Sequence, residues 1–307
     1  MCIRTCLITS LALMLTGCGD VSVQADADPA SCDLASIDRT ALAAAQETGF
    51  DTIDTILFNR TALTLSHCLG HPDPAIRDEL AYATLTAMLR SGKADPALLL
   101  SLRETLYNTL DAPDPDGFAH PFAALILSEV ARVDRVTPYL SADDRQAMVA
   151  RATTFLESET DYRGYSDSDG WRHNIAHGAD WLMQLALNPA LTDDDRALIY
   201  QAVGSQVQAG GGHAYIHGET ERLARPYLFA AMRGTDATEL WTERVTALAD
   251  PSPLETWNDA FQSEADLARL HNLKAFLRIL LVNIGNSENP ALQAMQPAIL
   301  ATMQTLP

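Results

Sequence analysis

From residue 34 onward, apolar side chains recur three and four positions apart, the spacing of an amphipathic helix. Helix boundaries are written into the same stretches. Ser36 can open a helix that Gly49 closes, and residues 51–68 form the next. Asp73-Pro74, Asp95-Pro96, Ser252-Pro253 and Asn289-Pro290 each place a capping residue before a proline suited to the first helical position. Ser141-x-x-Asp144 and Thr192-x-x-Asp195 have the form of capping boxes. Gly92 and Gly234 sit where helices should end. Period-two alternation of β-branched residues is missing, so no strand is predicted.

The pattern predicts an all-α chain of roughly a dozen helices joined by short links. Residues 73–90 resemble the first helix of a HEAT-type repeat, with an Asp, then Arg77, then apolar residues at helical spacing. No strict repeat period follows, so the expected architecture is an irregular α-α superhelix of paired helices. A closed α/α toroid is the alternative. Composition does not shift between 34 and 307, which reads as a single helical domain large enough to bury a sizeable core. The Asp-Pro-rich stretch 111–117 reads as a loop within it.

One stretch carries more chemistry than a scaffold needs: DYRGYSDSDGWRHNIAHGADW, residues 161–181. Asp167, Ser168 and Asp169 can cap a helix starting near Gly170 and stopping before Asn188-Pro189. At about 100° per residue, Trp171, Ile175, Ala179, Leu182 and Ala186 form its buried stripe. His173, His177 and Asp180 then fall within about 60° of one another on the opposite face. Two nitrogens and an oxygen on consecutive turns can grip one divalent ion, zinc first. The plainer reading is a solvated polar face whose residues hydrogen-bond one another.

Residues 210–222, GGGHAYIHGETER, hold a second cluster. The three glycines break the preceding helix, and His213 and His217 repeat the four-residue spacing. This window can supply a further ligand. A hydrolase follows: metal-activated water, Glu219 or Glu221 as general base, and Arg163 or Arg222 holding an anionic intermediate. A metal-free variant pairs Asp161 or Asp169 with Glu219 over a floor of Tyr162, Tyr165, Trp171 and Trp181, which suits a sugar. Tyr165, Trp171 and Trp181 are the expected substrate contacts in either case. The alternative from another class is a non-catalytic scaffold that binds a protein or peptide on its concave face. His67, Cys68 and His71 read as a loop at a helix end. His120 and His271 read as structural, and Trp241 and Trp257 as core. No Gly-x-Ser-x-Gly, phosphate loop or nicotinamide fingerprint is present.

The Arg163-Gly164-Tyr165 triplet, the run from Gly170 to Asp180 and Gly218-Glu219-Thr220-Glu221-Arg222-Leu223 resemble the signature segments of a bacterial family, the domain of unknown function 2785. PDPAIRDELAY at 72–82 and HPFAALILSEV at 120–130 also look like its landmarks, and the resemblance spans most of 50–285. Arg172 stands where that pattern has a small residue. The resemblance implies a helical domain and no activity.

The first 18 residues, MCIRTCLITSLALMLTGC, place Arg4 before an apolar run too short to span a membrane. Leu15-Thr16-Gly17-Cys18 resembles a lipobox, which implies cleavage after residue 17, lipidation of Cys18 and attachment to the cell envelope. An ordinary secretory signal is the alternative. Gly19 rather than Asp at the second mature position favours the outer membrane, facing the periplasm. Residues 18–33 then form the acylated cysteine and a tether. A formal net charge of −19 repels phosphate backbones, so nucleic acid is not an expected partner. The expected partners are the membrane, through the lipid, and an unidentified small molecule or protein. Cys32 and Cys68 remain as an even pair, either disulfide-bonded or two buried thiols.

Overall fold

The computed structural model describes residues 32–234 and 236–307. Helix α1 (Arg39–Glu47) and α2 (Thr55–Ser66) precede a π-helical stretch (Ala75–Tyr82) that runs directly into α3 (Ala83–Arg90). Then follow α4 (Pro96–Asp111), α5 (Ala119–Val136) and α6 (Ala142–Ser158). A two-stranded hairpin, β1 (Tyr165–Ser166) and β2 (Gly170–Trp171), interrupts the helices before α7 (Asn174–Ala186). The chain continues through α8 (Asp193–Val207), α9 (Glu219–Arg233), α10 (Thr238–Leu248) and α11 (Glu264–Gly285) to α12 (Pro290–Gln293) and α13 (Gln296–Thr305). The all-α class is as expected.

Most of the predicted caps are made. Asp95 accepts the N–H of Leu98 with Pro96 at the first helical position, and Asn289 accepts that of Ala291. Thr192 and Asp195 close a reciprocal capping box. Several boundaries differ. Asp54, not residue 51, opens α2, and the stretch after Asp73-Pro74 has Pro74 at its N-cap with no side-chain cap. Asp38 rather than Ser36 caps α1. The Ser252–Pro253 bond is cis and starts no α-helix. There Asp250 takes both the N–H and the hydroxyl of Ser252, and a short 3-10 turn, Trp257–Gln262, intervenes before Ser263 caps α11.

The helices pack as pairs in two rows. Helices α3, α5, α7, α9 and α11 form an inner row, each against the next, while α4, α6 and α8 cover α5, α7 and α9 from outside. One hydrophobic cluster runs through both rows from Leu42 to Ile299. Position in the inner row explains α7. It is covered on both flanks and from behind, so 11 of its residues are buried, polar ones included. No helix among the described residues is long and apolar enough to cross a membrane.

Two cross-links hold the ends of this array. Cys32 and Cys68 are disulfide-bonded, which settles the two alternatives and closes a loop of 36 residues. The expected signal peptide, Cys18 and the tether up to residue 31 lie outside the described residues. The second link is Asp134 near the end of α5, whose side chain is 2% exposed. It accepts the N–H groups of Tyr139 and Leu140, Arg145 Nε at 2.8 Å and Asn188 Nδ2 at 2.9 Å, tying α5 to α6 and to the α7–α8 link. Burial opposes its charge, but Arg145 and the two backbone donors outweigh burial and hold its carboxyl below the ordinary range.

Two outcomes follow. Asp134→Asn should destabilise the chain by about 3 kcal/mol at pH 7 in urea unfolding, the cost of stranding a buried charge partner. Because the folded pKa is depressed, the Asp134 contribution is complete above the unfolded carboxyl pKa and fades as pH falls through the lower folded value. The gap between variant and wild type should therefore close in acid. Reducing the Cys32–Cys68 bridge should cost on the order of 4 kcal/mol from loop entropy.

Candidate functional site

The local fold of 161–181 differs from the expected helix. The hairpin replaces the first turn, and Asp169, instead of capping a helix, pairs with Arg172 and accepts from Ser166. His173 sits at the N-cap of α7 with φ +71°, a left-handed conformation rare outside glycine. Its N–H donates to the carbonyl of Arg163, and that of Arg172 to Gly164, so the turn is held by its own backbone. Trp171 consequently leaves the core stripe. It lies 38% exposed on the hairpin, stacked on the His173 ring at 4.6 Å and beside Tyr165 at 5.1 Å. Trp181 takes the opposite place. It is fully buried against Tyr107 and Phe155, so the expectation that it touches substrate is corrected.

His173, His177 and Asp180 do share a face, but that face is buried rather than solvated. They line a cavity of about 370 Å³ at the N-terminal ends of α7 and α9, together with Trp171, His217 and Arg222. The opposite wall is Asp78, Tyr82, Phe122 and Leu125. The cavity thus draws on the π-helical stretch, the hairpin, α5, α7 and α9. Asp78 and Tyr82 were not singled out from sequence. The sequence signal was the 72–82 landmark that contains them; the structure adds that they sit in the π-helical stretch, a feature common at functional sites.

The anchoring contacts divide the polar groups into satisfied and unsatisfied. His177 is held by its Nδ1 at 3.1 Å from the carbonyl of Pro121, and burial pushes its pKa well down. Asp180 is in direct contact with Arg222. Burial nevertheless lifts the Asp180 carboxyl to about 6, outweighing Arg222 and Arg225. These two expected metal ligands are therefore engaged elsewhere.

Three other atoms are not engaged. Glu219, the first residue of α9, is 1% exposed. Its Oε2 accepts the backbone N–H of His217 at 2.8 Å. Its Oε1 has no hydrogen-bond partner, nor do His173 Nε2 and His217 Nδ1. Oε1 lies 3.7 Å from His173 Nε2 and 3.5 Å from His217 Nδ1. Burial lowers the His173 pKa to about 4 against the pull of Glu219, so its ring is neutral and Nε2 can offer a lone pair. His217 is packed tightly onto Gly164. A Cβ there would stand 2.2 Å from His217 Nδ1, so no side chain is admissible at 164 while the ring stays in place.

Glu219 lies behind His173 and His217 rather than in the cavity lining, and the remaining expected residues fall elsewhere. Arg163 grips Asp161 at the hairpin entrance. Glu221 pairs with Arg225 and lines a different cavity between α9 and α11. His213 stacks on Tyr162 at 5.5 Å. Asp161 and Asp169 are taken by Arg163 and Arg172, so neither forms the expected carboxylate pair with Glu219.

A family model described as protein of unknown function (DUF2785) matches residues 106–282, more than half of the chain. The chain belongs to the DUF2785 family. The matched span includes the hairpin, α7 and the start of α9, and so most of the cavity of this DUF2785 protein. Asp78 and Tyr82, with the 72–82 landmark, precede it. Comparisons with curated proteins and with solved structures give no match.

Gly164→Ala should leave the helical array folded but displace His217. Circular dichroism should match wild type, while the His217 side-chain NMR signals move. Unmoved signals would contradict the close packing.

Proposed function

We propose that this cavity binds one divalent ion, zinc by preference, and serves a hydrolytic reaction on a small molecule. The supporting observation is the convergence of three buried, unpartnered acceptor atoms, His173 Nε2, His217 Nδ1 and Glu219 Oε1. Buried polar atoms without partners are costly, and an acidic oxygen facing two ring nitrogens is a donor set for a cation. Ligands at 2.0–2.1 Å from a tetrahedral zinc are about 3.4 Å apart, close to the separations found. As they stand, no three His, Cys, Asp or Glu side chains among the described residues are grouped so that they could hold a metal ion, so these side chains must move to bind one. The rings would have to close by a few tenths of an ångström.

Two nitrogens and one carboxylate oxygen would make a three-ligand set of the catalytic rather than the structural kind. Such an ion would supply hydroxide near neutral pH. The chain's own groups provide the rest. Arg222 can hold developing negative charge, and Asp180, with its raised pKa, can exchange a proton at the cavity wall. His177 fixes the ring of its neighbour by edge contact at 5.5 Å. Trp171 lines the cavity, with Tyr165 beside it on the hairpin. This revises the ligand set from His173, His177 and Asp180 to His173, His217 and Glu219. Glu219 becomes a ligand in place of a base.

For location, we propose a lipid-anchored protein of the cell envelope, on the strength of Leu15-Thr16-Gly17-Cys18 and of a disulfide that needs an oxidising compartment. Labelled palmitate should enter the wild-type chain and not Cys18→Ser.

Elemental analysis of the purified chain from Gly19 onward should find about one zinc per molecule, lost in His173→Ala and in Glu219→Gln. Asp180→Asn and His213→Ala should retain it. A metal-free wild type would sink the ion and favour a non-catalytic binding scaffold, while retention in both of the first two variants would sink this ligand set.

A further inference from the structure

Most arginines of this chain hold a carboxylate, as expected where 40 acidic residues face 21 basic ones. Arg90 has Glu129, Arg145 has Asp134, and Arg244 has Asp236. Among the described residues Arg39, Arg60, Arg132, Arg135, Arg233 and Arg278 depart from this rule, and of these Arg132, Arg135 and Arg233 stand near one another. None of the three has an ion-pair partner among the described residues, and the one polar contact of Arg135 is Nε to the amide oxygen of Gln184 at 3.3 Å. Glu129, the acid that faces Arg135 from the same helix, is already gripped twice by Arg90.

Their placement follows from the register of the inner row. Pro121 meets His177, Arg222 meets Asp180 and Arg135 meets Gln184, so α5, α7 and α9 run parallel. Arg135 meets Gln184 in the last turn of α7, and Arg233 stands 11 residues, or ~16 Å, along α9 beyond the Arg222–Asp180 contact. Helix α7 ends at Ala186, short of Arg233. The two arginines therefore flank the end of α7 from opposite sides, with Arg132 one turn below Arg135 on the same face of α5. The positive charges of Arg132 and Arg233 add to burial in holding Arg135 below its ordinary range. A cation in the last turn of a helix complements its dipole, which accounts for Arg135 and Arg233 singly. It does not account for gathering three that repel one another and leaving them without an acid in an acid-rich chain.

We propose that Arg132, Arg135 and Arg233, with the Gln184 amide, form an anion-binding site at the C-terminal end of α7 that takes a phosphate or carboxylate group of a small soluble ligand. Guanidinium forks match the geometry of both oxyanions. Gln184 lies one turn from Asp180 on α7, so the anion would occupy the same face as the cavity described above. The site stands on these residues alone and does not depend on a metal or on hydrolysis.

Calorimetric titration of the chain from Gly19 onward with inorganic phosphate, and separately with succinate, in low-salt buffer tests it. One saturable site is expected for at least one of the two anions. Affinity should fall at least tenfold in Arg135→Gln/Arg233→Gln and persist in Arg39→Gln, which removes an arginine of α1. Thermal unfolding supplies the second readout, since phosphate or succinate should raise the melting temperature of wild type and not of the double variant. Should the double variant fail to fold, Arg233→Gln at its exposed position carries the same comparison. Undiminished binding in the variants, no saturable binding of either anion to wild type, or binding only to vesicles containing phosphatidylglycerol overturns the proposal.

Discussion

Arg77 is the interaction on which the candidate site depends. Its guanidinium is completely buried and pairs with Asp78, while its remaining donors take the carbonyls of His71, Pro72 and Asp169. It also lies over the rings of Phe118 and Phe122 at 4.2 and 5.1 Å. One side chain thus fastens the π-helical stretch, the hairpin and the start of α5 to each other. Each of those segments contributes a wall or the mouth of the cavity. Gly170 permits the approach, because a Cβ at its φ of +75° would stand 3.1 Å from the Arg77 guanidinium. A buried cation is expensive to desolvate, and its multiple partners make one arrangement of these segments far better than any other.

That fixed frame separates two kinds of polar residue around one cavity. His177 and Asp180 are buried with partners and behave as parts of the wall. His173, His217 and Glu219 are held by their backbones while their reactive atoms stay unpaired. The left-handed backbone of His173 belongs to the same pattern: a locally costly conformation kept in place by surrounding hydrogen bonds, as sites built for a ligand commonly are. The N-terminal ends of α7 and α9 also meet at this spot, with His173 at the N-cap of one and Glu219 as the first residue of the other.

Much of the fold was legible because helix caps are local chemistry. Asp95-Pro96, Asn289-Pro290 and Thr192-x-x-Asp195 act through neighbours a few residues away, so the sequence contains the whole interaction. Ser252-Pro253 looked the same and was not, since Asp250 two residues earlier captured the serine. At the site, the windows 161–181 and 210–222 do come together, but His177 and Asp180 within them are held by Pro121 and Arg222. Strands of two residues leave no alternation to read, so the hairpin was mistaken for a first helical turn. That shift moved Trp171 out of the core and His173 off the helix. The spacing of His173, His177 and Asp180 marked a real common face, but spacing cannot tell a solvated face from one sealed by the neighbouring helices. Asp78 and Tyr82 come from nearly a hundred residues away, and only tertiary packing brings them in.

The position of the disulfide has a mechanical consequence. Cys32 precedes α1, and its partner Cys68 follows α2. Tension applied through the chain before Cys32 enters the body across the S–S bond at the end of α2, so both early helices lie in a closed loop that bears no load. A pull from the N-terminal side would therefore be met by the packed helices behind Cys68, and α1 could not be peeled away turn by turn until that bond was reduced.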